Sequence, residues 1–94
     1  MNTIDDIKRL IGNDCMQPAI NAASTLLRSD HITTHERATL LFLCGNAYRK
    51  MGNWRMAMNS YLEAMHLDPD GPAAMAYNNA QEIFNFYHKD LYNP

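Results

Sequence analysis

Residues 38–71 read ATLLFLCGNAYRKMGNWRMAMNSYLEAMHLDPDG, and the way this stretch is parsed decides the fold. Two helical patterns meet at Gly52-Asn53. Leu41, Cys44, Gly45 and Tyr48 recur at i, i+3, i+4 and i+7, which is one stripe of a helix. Trp54, Ala57, Met58, Tyr61, Ala64 and Met65 draw a second stripe of the same period. Gly52 ends the first helix where a residue with free φ is wanted, and Asn53 caps the second. Asp68-Pro69 stops that second helix, because the residue before a proline is pushed out of helical geometry. Glycine inside a helix costs up to about 1 kcal/mol relative to alanine. Placing Gly45, Ala57 and Ala64 against Tyr48, Trp54 and Tyr61 therefore points to two backbones that approach closely.

Outward from this hairpin the same periodicity continues. Upstream, Ile4, Ile7, Leu10 and Ile11 share one face, while Asp5, Asp6, Lys8 and Arg9 occupy the other with acids first, as the helix dipole favours. Gly12-Asn13-Asp14 breaks that helix. Pro18 is tolerable only in the first turn of the next one, which carries Ala19, Ile20, Ala22, Ala23, Leu26 and Leu27 and ends near Arg28. The stretch 29–34 is a loop, and Thr33-x-x-Glu36 forms a capping box that opens the first central helix. The spacing predicts helices from His35 to Met51 and from Trp54 to Leu67. Downstream, Asp70 or Gly71 caps a fifth helix with Pro72 in its first turn, and this helix is expected to end near His88.

The central stretch resembles a tetratricopeptide repeat, whose pattern is roughly W-x2-L-G-x2-Y…A-x3-F…P over 34 residues. Here it stands as Leu41-x2-Cys44-Gly45-x2-Tyr48, then Ala57-x3-Tyr61, then Ala64 and Pro69. The Gly, the Tyr, both Ala and the Pro match outright, and Leu41, Cys44 and Tyr61 are apolar or aromatic stand-ins. Gly52, Trp54, Leu67 and Asp68 also fall where the family favours such residues. A shift by the repeat length lays Leu41 on Ile7, Cys44 on Leu10, Ala57 on Ala23 and Tyr61 on Leu27. Residues 3–34 thus read as a degenerate first repeat, without the signature Gly, Tyr and Pro. The same shift forward puts Asn78, Asn79 and Glu82 where a sixth helix would pack, so 72–88 reads as a capping helix with a wet outer side and 89–94 as a tail in which Leu91 and Tyr92 are free to dock. The resemblance, to a small bacterial-type member, implies an all-α chain, with antiparallel hairpins stacked as a short right-handed α-solenoid. That is about five helices, two repeats plus a cap, in a single domain spanning 1–94.

In that family the first helix of each pair lines the concave side. The resemblance then implies an inner surface with Phe42, Leu43, Tyr77 and Phe84 as its apolar floor, Asn46 among them, and Arg49 and Lys50 as a cationic edge. The apolar stripe of the last helix, Ala73, Ala76, Tyr77, Ala80, Ile83, Phe84 and Tyr87, admits three readings: domain core, a surface covered by a second copy or the tail, or an open groove. Two functions follow as expectations. One is a non-catalytic module that binds a peptide or helix of a partner protein, preferably with some acidic character. The other is a structural homodimer whose aromatic stripe is buried between its own chains. Capture of chaperone C-termini is not expected, since Phe42, Ala73 and Tyr77 stand where that clamp needs Lys or Arg.

Composition points the same way. Apolar residues at 47% suffice for a core in 94 residues, but so small a stack is expected to need self-association or a partner for full stability. A net charge of −2 and a pI near 6.0 argue against nucleic acid as a partner. The longest apolar run, Leu40 to Cys44, falls far short of the roughly 18 residues of a membrane span. No apolar h-region follows a basic start, and the two cysteines are isolated, so a cytoplasmic setting is expected. His31 and His35 are spaced like a two-histidine metal face, but the cap at Thr33 separates them and no third ligand is near. Ser24 and Ser60 lack a histidine at motif spacing, and no Gly-rich phosphate loop occurs. No enzyme activity, metal or cofactor is expected.

Overall fold

Each helix of the computed structural model starts on a local device. The structure describes residues 3–92, with side chains through Phe86. Helix α1, Ile4–Gly12, opens on Thr3, whose hydroxyl accepts from the Asp6 N–H while the Asp6 carboxylate accepts from the Thr3 N–H. Helix α2, Met16–Leu27, follows a turn in which Asp14 takes a left-handed φ of 64°, a conformation that Asp tolerates better than most residues. Helix α3, Thr34–Lys50, opens on the expected Thr33–Glu36 capping box. Gly52, with φ of 81°, turns the chain into α4, Trp54–Leu67, where the Asn53 carboxamide accepts from the Met56 N–H. Pro72 precedes α5, Ala73–Tyr92, and its carbonyl accepts from Ala76. The last helix thus runs past the expected end at His88, and residues 89–92 expected as tail are helical. The side chains of Tyr87, Leu91 and Tyr92 lie outside the described residues. The chain is all-α, and no strand occurs among the described residues.

The most extensive contact is between α3 and α4, which run antiparallel. His35 lies beside Asp68 (3.9 Å), Phe42 stacks obliquely on Tyr61 with centroids 5.9 Å apart, and Tyr48 shares a cluster with Trp54 and Met58. At the crossing, a Cβ on Gly45 would fall on the Tyr61 ring edge, within 2.5 Å of its Cδ1 carbon. Gly45, Ala57 and Ala64 are all buried, as the stripe analysis required. Glycine at 45 is therefore what lets a whole tyrosine ring sit between the two helices.

Two cores result. Ile7, Ile11, Ile20, Ala23, Leu40, Leu43, Cys44 and Ala47 close the space among α1, α2 and one face of α3. Ala57, Tyr61 and Ala80 form the second, between α4 and α5, ringed by half-buried Phe42, Tyr48, Trp54, Met58, Ala76 and Tyr77. Burying a side chain of the Ile or Leu class stabilises by about 1.5–3 kcal/mol, so the first core carries much of the stability. Arg37 fastens the loop between α2 and α3 by donating to the Leu27 carbonyl at 2.8 Å and the Ser29 carbonyl at 3.5 Å.

Candidate functional site

Helix α3 serves both cores at once, and its remaining face opens on a groove. Leu40, Leu43 and Ala47 point at α1 and α2. Phe42, Asn46 and Arg49 point the other way, across from Pro72, Met75, Ala76 and Asn79, and border an open depression of about 320 Å³ between α3 and α5. The spacing 42, 46, 49 is one helical stripe, so a single α3 face delivers an aromatic, an amide and a guanidinium in a row.

The structure sorts the residues expected to bind. Phe42, Asn46 and Arg49 are brought together. Leu43 is buried in the N-terminal core, because one residue along a helix turns the side chain by about 100°, and this removes it from the expected floor. Lys50 is exposed at the end of α3 and does not line the groove. Tyr77 is half-buried in the aromatic ring around Tyr61. Phe84, also half-buried, sits further along α5 than the groove extends. The apolar stripe of α5 is mainly spent inside the chain, with Ala73 and Ala80 buried and Ala76 and Tyr77 packed at the second core.

Met75 and Asn79 enter the groove unforeseen. Asn79 was expected on the outer side of a capping helix, because the 34-residue shift lays Gly45 on it, at a place that would face a sixth helix, and lays Asn46 on Ala80. One residue fewer in the shift brings Asn79 opposite. The signal was the pair Met75 and Asn79, one turn apart on either side of Ala76. Asn78 and Glu82 are exposed, as expected of an outer face.

Three chemical features mark this half of the molecule. The Tyr61 hydroxyl donates to Asn46 Oδ1 at 2.6 Å. Burial pushes the Tyr61 phenol up from its ordinary range, and the nearby Arg49 charge pulls it partly back. Burial, aided by the Glu63 charge, raises the Cys44 thiol to about 11, so Cys44 is a protonated core group at neutral pH. Two further clefts are apolar at the base. One, of about 390 Å³, lies among Leu27, Arg37, Leu41, Glu63, His66 and Leu67. The other, of about 450 Å³, lies among Trp54, Glu82, Ile83 and Phe86. Among the described residues no three His, Cys, Asp or Glu side chains converge as metal ligands, and no helix is long and apolar enough to cross a membrane.

Over the described residues the fold is five helices, all-α, with a polar and aromatic face on one side of the central hairpin. No family model and no curated protein sequence matches the chain. A solution NMR structure of the Bacteroides fragilis protein BF1650 is similar to it, with 38% identity and a TM-score of 0.85 over 99% of this chain and 91% of that one. Identity at that level over nearly the full length of both shows that the chain belongs to the same family as the Bacteroides protein.

Proposed function

We propose that the chain is a non-catalytic protein-interaction module, a short right-handed solenoid of tetratricopeptide-type hairpins that takes a peptide or helix segment of a partner protein between α3 and α5. The observation that carries this reading is the groove itself. Phe42, Met75 and Ala76 supply apolar contact, Asn46 and Asn79 supply amides, and Arg49 supplies charge, on rigid helices at one open site. Aromatic and arginine side chains are the residue types that most often dominate binding energy. The antiparallel α3–α4 pair and the packing of α5 on α4 support the solenoid arrangement.

A second reading, the structural homodimer, draws on Ile83 of the expected stripe together with Trp54 and Phe86, which lie outside it. Trp54, Ile83 and Phe86 line one cleft, and Phe86 is 70% exposed. Light scattering separates the two: the interaction module is a monomer at micromolar concentration, and the scaffold is a dimer throughout.

The direct test selects peptides from a random library on the pure protein and measures their affinity by calorimetry. Phe42→Ala is expected to weaken the best peptide by about tenfold or more with helical content retained. Unchanged affinity in Phe42→Ala contradicts the groove.

A further inference from the structure

Among the described residues, Tyr61 is the largest side chain wholly shut from solvent. A phenol so buried needs an acceptor for its proton, because an unpaired buried donor forfeits the hydration it had in water. Asn46 Oδ1 is that acceptor, and no buried side-chain oxygen or nitrogen among the described residues lacks a partner. The reverse arrangement, with the Asn46 amide donating to the phenol oxygen, would leave the Tyr61 proton unmatched. A primary amide has one acceptor oxygen and two N–H donors. With Oδ1 turned to Tyr61 and one of its lone pairs engaged there, the two Nδ2 donors are the hydrogen-bonding groups Asn46 turns elsewhere, and Asn46 lines the groove.

Arg49, one turn further along α3, lines the same groove, and Asn79 faces it from α5. Among the described residues no Asp or Glu lines it, although Asp68 lines the adjoining cleft that shares Phe42 and Pro72 with it. Glu82 belongs to the cleft with Trp54, and Asp70 is exposed in the loop before Pro72. Arg49 is the charged side chain of the groove itself, in a chain of net charge −2.

We propose that Tyr61 is a positioning residue that holds the Asn46 amide with its donors toward the groove, so that the site selects acidic segments over their amide counterparts. The proposal rests on the groove being the binding face. Its occupant is a short extended acidic peptide with interleaved aliphatic residues: carboxylates meet Asn46 Nδ2 and Arg49, and aliphatic side chains meet Phe42 and Met75. Hydrogen bonds from such donors to a carboxylate are stronger than those to a neutral amide oxygen. If the phenol proton is removed, the Asn46 amide is free to turn its oxygen outward, and the discrimination weakens.

The test uses two labelled, C-terminally amidated peptides, one of repeated Ala-Leu-Asp and one of repeated Ala-Leu-Asn, followed by fluorescence anisotropy. The native protein is expected to bind the acidic peptide about tenfold more tightly, and the margin shrinks with added salt. Tyr61→Phe, which keeps the ring, is expected to cut the margin to about threefold or less. Asn46→Asp leaves an acceptor for the Tyr61 proton and replaces the donors with a carboxylate, so it is expected to reverse the preference. It also keeps the test decisive should Tyr61→Phe fold poorly. Equal binding of both peptides to the native protein, or an unchanged margin in both variants, overturns the proposal and leaves the groove as a peptide site. Binding of neither peptide, together with library peptides indifferent to Phe42→Ala, removes the groove and the proposal with it.

Discussion

The two cores are built of different material. The N-terminal one, among α1, α2 and α3, is aliphatic and closed: Ile7, Ile11, Ile20, Leu40 and Leu43 with small residues between them. The C-terminal one has only Ala57, Tyr61 and Ala80 at its centre, and its boundary is made of half-buried aromatics, Phe42, Tyr48, Trp54 and Tyr77. An aliphatic core has no polar atom to satisfy and can seal itself. A tyrosine core has a hydroxyl that must be met, and here the group that meets it, Asn46, is half-buried and lines the groove. The same α3 helix therefore stabilises with one side and presents chemistry with the other.

The sharpest way to break this contrast is to truncate each side of α3. Leu40→Ala, in a site with no solvent exposure, is expected to cost about 3 kcal/mol in urea unfolding, within the usual 2–5 for such cavities. It should leave the affinity for a selected peptide unchanged while the protein is folded. Phe42→Ala should do the reverse, with modest destabilisation and a large loss of binding. Equal effects of both variants on binding would erase the distinction.

Next in size is the close approach at the crossing. Gly45→Ala drives a methyl into the Tyr61 ring, and overpacking of this kind costs about 1–3 kcal/mol. Gly12→Ala, where a Cβ meets nothing within 4 Å, is expected to be neutral or stabilising by up to about 1 kcal/mol. Thermal midpoints of the two variants check the pair.

The two cysteines sharpen the comparison through pH. Cys44 titrates at about 11 in the fold, against an ordinary value of 9.0. A thiol raised by folding contributes stability that is fully present below pH 9 and is lost as pH rises toward the folded value. One unit above the ordinary value, the loss is about 1.4 kcal/mol. Cys44→Ala is expected to flatten that part of the stability curve, and Cys15, half-exposed at the start of α2, should react with a thiol reagent well before Cys44.

The smallest effects are expected at the caps. Thr33→Ala removes one side of the α3 capping box and should cost about 1 kcal/mol. Hydrogen bonds from Thr33 and Thr3 lower the Glu36 and Asp6 carboxyls. Their contribution is present above the usual carboxylate range and is lost as pH falls through the lowered values.

Local signals made the central hairpin legible. Helix α4 spans Trp54–Leu67 as expected, because Asn53 and Asp68-Pro69 act on their own neighbours. Helix α3 starts one residue before His35 and ends one before Met51, set by Thr33 and Gly52. The box at Thr3 is closed by Asp6 rather than Glu, which makes it a weaker sequence signal than the Thr33–Glu36 pair. Lys89 and Asp90 are polar without being helix stops, so α5 runs on to Tyr92. In the groove, Phe42, Asn46 and Arg49 were legible only through the family resemblance, which assigns this face of α3 to the concave side. Leu43 was placed on the floor although its turn from Phe42 carries it into the N-terminal core. Asn79 was placed on the outer side and Met75 was not foreseen, since how α5 turns relative to α3 depends on packing across α4, which the local pattern does not encode.

The measurement that bears most directly on the groove is two-dimensional 15N NMR of the labelled protein during titration with a library-selected peptide. Signals of Phe42, Asn46 and Arg49 on α3 and of Met75, Ala76 and Asn79 on α5 should shift together, while those of Ile7, Ile11 and Ile20 stay in place. Shifts that gather instead on α1 and α2, or around Leu27, Leu41 and Leu67, would contradict the assignment of binding to the α3–α5 face.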